Sequence, residues 1–151
     1  MYLISFCSRP EVLDSQIKIS DEQIKSSWKF DRLNSKLLMF DFDKNKNKKF
    51  DKEEKEEFIK AHFFPLEKNN YNIFLANDID EFKVNPKNID VNFTNKRVEI
   101  IFDIDYKMTD ATTICTMDEK IYMAYKLIDI ETNFVTDIQR SEYDYCIGVS
   151  K

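Results

Sequence analysis

Glycine and histidine are almost absent from this sequence, which holds one glycine, Gly148, and one histidine, His62, among its 151 residues. Phosphate-binding loops and dinucleotide fingerprints need several glycines, because backbone N–H groups must approach the phosphate closely. Zinc sites of the H-E-x-x-H kind need two histidines. The composition therefore predicts neither a nucleotide nor a haem cofactor, and it excludes a multi-histidine metal site within this chain.

Catalytic patterns are also scarce. A Ser-His-Asp or Cys-His arrangement would have to use His62, which lies in "IKAHFFPL" at the end of a predicted helix, where a packing or capping histidine is the simpler interpretation. Ser26 and Lys29 match the S-x-x-K pattern of serine acylases, but they lie in a strand-like alternation rather than at the start of a helix. We therefore expect no enzymatic activity, and a hydrolase that uses His62 is the least favoured alternative.

The three cysteines, Cys7, Cys115 and Cys146, form no C-x-x-C pair, so a zinc ribbon or a thioredoxin-type site is not indicated. Free thiols that pack as small hydrophobic side chains are the favoured interpretation. One disulfide between two of the three is the alternative, which an oxidising compartment would allow.

Long apolar runs are missing as well. No stretch approaches the about 20 residues of a membrane span, so the chain is not expected to cross a membrane. The apolar N-terminus "MYLISFC" is too short for a complete signal peptide and lacks its basic region. An ordinary strand, the remnant of a signal peptide and a shifted or trimmed start all stay open for this segment.

Acidic residues outnumber basic ones: 28 Asp and Glu against 23 Lys and Arg give a net charge of −5. Proteins that bind nucleic acid usually present a basic stripe, so a nucleic-acid partner is not expected. The length fits a single domain over residues 1–151, and 13 Phe, 7 Tyr and 1 Trp are available to fill its core.

Alternation of apolar and polar residues predicts several strands. Residues 16–30 read as a hairpin with one buried side, which includes Trp28 and Phe30, and with a turn at Asp21 and Glu22. From about residue 72 the chain is predicted to be mainly β. Its clearest strand is "VEIIFDIDY", and "TTICTM" followed by "IYMAYKLI" is interpreted as a further pair of strands.

Between these β regions, residues 31–64 follow a helical period. Asp31 is the predicted N-cap of a helix in which Leu33, Leu37, Leu38 and Phe42 stand at helical spacing. Met39 and Phe42 lie on the face that this helix is expected to bury, and a second helix is predicted to stop at Pro65. The N-terminal residues 1–15 are left without an assignment. The predicted fold class is α+β, with an EF-hand-like helix-loop-helix packed against an antiparallel β-sheet.

The twelve residues between the predicted helices, "DKNKNKKFDKEE", have the spacing of a calcium loop. Such loops supply oxygen ligands from positions one, three, five, seven (through the backbone), nine and twelve. Phe50 falls at position eight, where an apolar residue normally packs. The candidate metal ligands are Asp43, Asn45, Asn47, Lys49 through its carbonyl, Asp51 and Glu54.

Two departures from the calcium-loop pattern weaken this prediction. Position six is usually glycine because the turn needs positive φ, and here it is Lys48. The loop also holds five lysines against four acids, so any Ca²⁺ binding is expected to be weak, with a Kd of about 10⁻⁴ to 10⁻³ M. The alternative is a loop without an ion, held by hydrogen bonds from Asn and Asp side chains to its own backbone.

Three stretches resemble a bacterial family catalogued as domain-of-unknown-function family 1007. "IKSSWKFDRLNSKLLMFDFDKNKNKKFDKEE" resembles the family's strand ending in Trp-x-Phe-Asp, its short helix and its Asp/Asn loop ending in Glu. "MDEKIYMAYKL" resembles an aromatic-rich strand of the family, and "DYCIGVSK" resembles its closing segment. The three stretches lie within residues 17–151, at both ends of that range.

The resemblance implies a small exported protein, a periplasmic component of an uncharacterised ABC-type transport system associated with nickel, cobalt or zinc. Its implied partner is a membrane metal permease. Family members usually begin with a His-Pro-His segment, whereas "CSRPEVLDSQI" holds no histidine, so a zinc or nickel site is not carried over. By resemblance, five side chains match ligand positions of the family's loop: Asp43, Asn45, Asn47, Asp51 and Glu54.

The sequence therefore predicts a non-enzymatic periplasmic accessory or binding protein associated with divalent metal-ion transport, with a weak or vestigial EF-hand-like calcium loop. The periplasmic location rests on the resemblance alone. The alternative, from another class, is a protein–protein interaction module that binds through its sheet or its helix pair and has no metal role. A metal permease gene next to this one would favour the first prediction.

Overall fold

The computed structural model describes residues 10–151, so the predictions for "MYLISFC" and for Cys7 lie outside the described residues. Two α-helices, one 3-10 segment and ten strands are described. In chain order they are β1 Glu11–Ile19, β2 Gln23–Phe30, α1 Arg32–Phe42, α2 Lys52–His62, the 3-10 segment Phe64–Asn72, β3 Ile73–Ala76, β4 Glu81–Phe82, β5 Lys87–Thr94, β6 Arg97–Asp105, β7 Thr112–Thr116, β8 Met123–Thr132, β9 Val135–Arg140 and β10 Tyr145–Ser150.

The strands form two five-stranded sheets rather than one. Sheet A has the order β5-β6-β2-β1-β8, and sheet B has the order β4-β3-β7-β10-β9. Sheet A is mixed, because β1 runs parallel to β8 while its other pairs are antiparallel. The predicted fold class, an EF-hand-like helix-loop-helix packed against an antiparallel sheet, is therefore wrong: the fold is dominated by two sheets, and the short helices lie between β2 and β3 in the chain.

Strand positions were easier to predict than strand partners. The hairpin of β1 and β2 and the long strand β6 are confirmed. The predicted pairing of "TTICTM" with "IYMAYKLI" is wrong, because β7 pairs with β3 and β10 in sheet B while β8 joins β1 in sheet A. Alternation of side chains decides which face of a strand is buried, but it does not select the neighbouring strand.

The inner faces of both sheets enclose one hydrophobic core. Trp28 of β2 is fully buried there, and its ring centroid lies 4.9 Å from that of Phe102, 5.0 Å from that of Tyr125 and 5.8 Å from that of Phe63. These contacts join three strands of sheet A to the residue that follows α2. Aromatic pairs at such separations add packing energy beyond the burial of their area.

Helix α1 is held against sheet A by polar contacts at its start. The Asp31 side chain caps the helix by accepting a hydrogen bond from the Asn34 backbone N–H at 2.7 Å. The buried Ser35 hydroxyl accepts from the Val98 backbone N–H of β6 at 2.8 Å. Arg97, at the start of β6, donates to the Phe30 carbonyl at 2.7 Å. The end of β2 and the first turn of α1 are therefore anchored to β6.

Helix α2 packs through Phe58, which is fully buried. Its ring contacts those of Phe30 in β2, Phe42 in α1 and Phe50 in the connecting loop, with centroids 5.2–6.3 Å apart. One side chain thus joins the sheet, both helices and the loop. Both helices have 11 residues, and no helix within residues 10–151 is long and apolar enough to cross a membrane.

A disulfide links Cys115 of β7 to Cys146 of β10, which lie opposite each other in sheet B. The prediction that the cysteines are free thiols is therefore wrong for this pair. Sequence spacing could not reveal the bond, because the two residues are 31 positions apart and become neighbours only when β7 and β10 pair. Such a cross-link stabilises a fold chiefly by restricting its unfolded state.

Replacing Phe58 should show how much the helix pair depends on it. We expect Phe58→Ala to lower the free energy of unfolding by about 3–5 kcal/mol, because it opens a cavity among the rings of Phe30, Phe42 and Phe50. Phe40→Ala is the matched control: Phe40 is 87% exposed in α1, and its loss should change stability by less than about 0.5 kcal/mol. Urea unfolding followed by the fluorescence of the buried Trp28 measures both, and equal losses would contradict the packing described here.

Removing the disulfide should also lower the free energy of unfolding, and this effect should depend on the redox conditions. Reduction of the Cys115–Cys146 bond is expected to lower the free energy of unfolding by about 3–4 kcal/mol, the chain-entropy value for a loop of this length. Urea unfolding with and without dithiothreitol measures this difference. The double variant Cys115→Ala/Cys146→Ala should be insensitive to dithiothreitol, and a wild-type protein equally insensitive would show that the bond does not form.

Candidate functional site

The loop 43–54 lies where α1 ends and α2 begins. Asp51 is the N-cap of α2, and it forms a reciprocal capping box with Glu54: the Asp51 side chain accepts from the Glu54 backbone N–H at 2.9 Å, while the Glu54 side chain accepts from the Asp51 backbone N–H at 3.0 Å. Two of the predicted ligands therefore already serve to start a helix. The sequence S/T/D-x-x-E encodes this arrangement locally.

Side-chain oxygens at successive odd positions of the loop accept hydrogen bonds from its own backbone. Asn45 Oδ1 accepts from the Asn47 N–H at 3.2 Å, and Asn47 Oδ1 accepts from the Lys49 N–H at 3.0 Å. Asp43 Oδ2 accepts from the Lys48 N–H at 2.8 Å. These bonds turn the chain back on itself and orient the three side chains, while each amide oxygen keeps a second lone pair.

Glu54 closes the loop from its other end. The residue is 4% exposed, and its Oε2 accepts from the Lys44 backbone N–H at 2.8 Å, ten residues earlier in the chain. The Asn45 amide nitrogen also reaches Asp51 Oδ2 at 3.4 Å. The first and last turns of the loop are therefore joined directly. The side chains of Asn45 and Asp51 meet directly, and Asp51 meets Glu54 through backbone N–H groups. Asn45 likewise meets Asn47, and Asn47 meets Lys49, through backbone N–H groups. The hydrogen bonds that Asp43 accepts come from Lys46 and Lys48, outside the predicted ligand set.

Asp43 carries the unusual feature of the loop. The residue is 8% exposed, and its Oδ1 is buried without a hydrogen-bond partner among residues 10–151. A buried carboxylate oxygen that lacks a donor is costly unless a cation or a proton neutralises it. The remaining oxygen, Oδ2, is already engaged by Lys48. Asp43 thus has one buried acceptor available at the position where a calcium loop places its first ligand.

Two lysines of the loop adopt the left-handed backbone conformation. Lys48, at position six, has φ of 62°, which is the conformation the sequence pattern requires there, and Lys46 has φ of 56°. Each costs about 1–2 kcal/mol relative to glycine. Phe50 is buried against Phe58, as predicted for position eight. The hydrogen bonds and this apolar contact therefore hold the loop in shape although its glycine is missing.

The loop was tested for its fit to a cation. Within residues 10–151, no three His, Cys, Asp or Glu side chains are grouped closely enough to form a metal site by themselves. A cation here would therefore also need neutral oxygens, from Asn45, Asn47 and a backbone carbonyl, which is the donor set of a calcium loop. The available Oδ1 of Asp43 fits that set, and the absence of histidine and thiolate ligands fits Ca²⁺ rather than a softer metal.

Charges around the loop are partly paired. Lys44 forms a salt bridge with Glu57 of α2 at 3.0 Å, and this hydrogen bond and charge raise the pKa of the exposed Lys44 amine. Lys46, Lys48 and Lys49 are exposed, and none of them forms a salt bridge within residues 10–151. Asp51 and Glu53 are exposed as well, but lysines outnumber them, so the rim of the loop is basic overall. The other two carboxylates of the loop, Asp43 and Glu54, are buried.

The other candidate groups show no such arrangement. His62 packs between aromatic rings, 5.1 Å from Phe58 and 5.3 Å from Phe42, and burial lowers its pKa against the opposing effect of Asp41. Ser26 is buried while Lys29 lies on the opposite face of β2, so their S-x-x-K spacing brings no side chains together. Of these residues, His62 packs against aromatic rings.

The apolar residues of α1 lie on two sides of the helix. Leu33 and Leu37, which share the helical spacing of Leu38 and Phe42, are exposed, and the buried residues are Ser35, Leu38 and Met39. The predicted burial of Met39 is confirmed, and Phe42 is partly buried against the core. The helical period alone could not decide which of these sides faces the sheet. The signal available in the sequence was the pair Leu38 and Met39, which stand four and three residues before Phe42.

Comparison with known proteins identifies the family of the chain but not its function. A family model described as "Protein of unknown function (DUF1007)" matches residues 13–146. No curated protein matches the chain, and no solved structure matches it either. Since the family match spans both sheets, the helix pair and the loop, the chain belongs to the DUF1007 family of proteins of unknown function.

Proposed function

We propose that the protein binds Ca²⁺ weakly in the loop 43–54, and that it acts as a non-enzymatic periplasmic accessory of divalent metal-ion transport. The observation that carries the calcium proposal is the buried Asp43 Oδ1, which lacks a donor among residues 10–151 at the first ligand position of a calcium-loop spacing. A bound divalent cation would neutralise this oxygen. It would also compensate the burial of the Glu54 carboxylate.

The ligands in this proposal are oxygens from six residues: Asp43, Asn45, Asn47, the Lys49 carbonyl, Asp51 and Glu54. Three of these side chains, Asp43, Asn45 and Asn47, are already oriented by hydrogen bonds to the loop backbone, so little ordering is left for the ion to induce. The ion would be structural, tying the end of α1 to the start of α2. Five lysines in the same twelve residues oppose it, which supports a weak rather than a tight site.

Two observations support the location and the partner. The Cys115–Cys146 disulfide favours an oxidising compartment such as the periplasm, because cytosolic thiols are kept reduced. The family resemblance implies a membrane metal permease as partner. A permease gene adjacent to this one would support that association, and co-purification of the exported protein with the permease would test it directly.

Calorimetry and thermal unfolding test the calcium site. At about 10 mM Ca²⁺ a site with Kd of 10⁻⁴ to 10⁻³ M should stabilise the wild-type protein by about 1–3 kcal/mol, since the ion binds the folded state. Asp43→Asn and Glu54→Gln, which keep the size of the side chains, should abolish both the binding heat and this stabilisation. Glu54→Ala should do the same, with an added loss from the capping box.

Glu53→Gln is the matched control, because it removes the same charge from the same turn at an exposed position outside the ligand set. It should retain the calcium effect. Magnesium at equal concentration controls for ionic strength. If Ca²⁺ gave the wild-type protein neither binding heat nor stabilisation, the loop would bind no ion and would be held by its own hydrogen bonds alone.

A further inference from the structure

Helix α1 presents an apolar face to solvent. Leu33, Leu37 and Phe40 are 69%, 55% and 87% exposed, and their spacing places them on one side of the helix. The buried residues Ser35 and Leu38 lie on the opposite side, against sheet A. A surface helix normally turns its apolar residues to the core. Three large apolar side chains exposed along one side of the helix therefore indicate an interaction surface. This set, Leu33, Leu37 and Phe40, is called the outer face of α1 below.

The outer face of α1 leads directly into the basic rim of the loop. Phe40 lies in the last turn of α1, three residues before Asp43. Lys46, Lys48 and Lys49 follow, exposed and without salt bridges among residues 10–151, and Lys36 is exposed within α1 itself. Asp41 is the acidic residue next to Phe40. Large apolar side chains beside several lysines are the composition of segments that lie in the interface of an anionic bilayer.

Occupancy of the loop by a cation would change the charge of this surface. Residues 43–54 hold five lysines and four acids, a formal charge of +1. A bound Ca²⁺ would raise that charge to +3. The protein as a whole carries −5, so its net charge opposes approach to an anionic surface, and one bound Ca²⁺ would reduce this charge by two. The same ion that completes the loop would therefore strengthen attraction where the apolar face is exposed.

We propose that the outer face of α1 and the lysines of the loop dock onto an anionic phospholipid surface, and that Ca²⁺ in the loop promotes this docking. The proposal rests on the calcium site proposed above. Leu33, Leu37 and Phe40 enter the boundary between headgroups and acyl chains, while Lys46, Lys48 and Lys49 contact the lipid phosphates. Because α1 is anchored to sheet A through Ser35 and Arg97, it lies on the membrane as a fixed ridge and does not insert across it.

A lipid surface fits this ridge better than a folded partner does. Three apolar side chains of different shape, spread along about 10 Å of a convex helix, need only a fluid apolar layer to bury them. The lysines are separate, flexible point charges, which suit a surface of mobile phosphates without fixed geometry. A second copy of the chain would need a complementary groove, and a dimer is one outcome of the test.

Vesicle co-sedimentation of the full chain tests the proposal. The probes are vesicles of phosphatidylcholine alone and of phosphatidylcholine mixed with phosphatidylglycerol, each with Ca²⁺ or with EDTA. We expect binding to the mixed vesicles, several-fold stronger with Ca²⁺, weakened by added salt and nearly absent on pure phosphatidylcholine. Equal binding to both vesicles, or none to the mixed vesicles with Ca²⁺, would overturn the proposal.

Two variants separate the apolar contribution from the electrostatic one. Phe40→Ser should weaken binding to the mixed vesicles by at least about tenfold, since it removes the ring that the lipid would bury. Lys46→Asn/Lys48→Asn should weaken it by about fivefold per lysine, while asparagine tolerates the positive φ at both positions.

The controls are Ile79→Ser, at a side chain 83% exposed in the turn before β4, and Lys107→Asn/Lys120→Asn, at exposed lysines outside this region. Control variants whose binding to the mixed vesicles falls as much as that of the test variants would overturn the proposed docking surface.

Calorimetry on the same proteins distinguishes this proposal from the calcium site. Phe40→Ser should retain the heat of Ca²⁺ binding but lose binding to the mixed vesicles. Asp43→Asn should lose both the heat of Ca²⁺ binding and the binding to the vesicles. A wild-type protein that binds Ca²⁺ but not the mixed vesicles would overturn the docking and leave the calcium site intact. A wild-type protein without calcium heat would overturn the site, and with it the calcium dependence. A calcium-dependent dimer without lipid, broken by Phe40→Ser, would assign the face to a second copy of the chain.

Discussion

The aromatic contacts made by the inner face of β2 are the constraint on which the rest of the structure depends. The Trp28 ring contacts one ring each from β6 and β8 and the ring of Phe63, while the Phe30 ring contacts that of Phe58 in α2. Through Phe58 the same face holds Phe50 and therefore the loop. The two short helices would have little reason to persist alone, because 11 residues are marginal for an isolated helix in water. Burial against the sheet stabilises them.

The loop shows how hydrogen bonds can maintain a shape whose usual sequence requirements are incomplete. Lys48 occupies a left-handed position that normally belongs to glycine, and Asp43 Oδ2 accepts its N–H. Glu54 serves both the start of α2 and the closure of the loop. The same carboxylates that would bind an ion therefore already do structural work. This double use explains why the arrangement persists with lysines at almost half of its positions, and why a cation would add to it only modestly.

Local patterns predicted much of this protein, but not its architecture. The hairpin of β1 and β2, the strand β6, the burial of Phe50 and the positive φ at Lys48 follow from residues near one another in the chain. The parallel pairing of β1 with β8 joins residues more than 100 positions apart, and no local pattern encodes it. The placement of β7 in the other sheet was missed for the same reason. Consequently an α+β fold with one antiparallel sheet was expected where two sheets occur.

By itself, the sequence determined the spacing of oxygen donors from Asp43 to Glu54 and the periodicity of each strand and helix, because these depend on backbone geometry over a few residues. Only the tertiary structure decided which side of α1 is buried, which cysteines meet and which oxygen of Asp43 lacks a partner. Each of these depends on a contact between elements that are distant in the chain. Such contacts are selected by the packing of the whole core, so they appear only when the two sheets have come together.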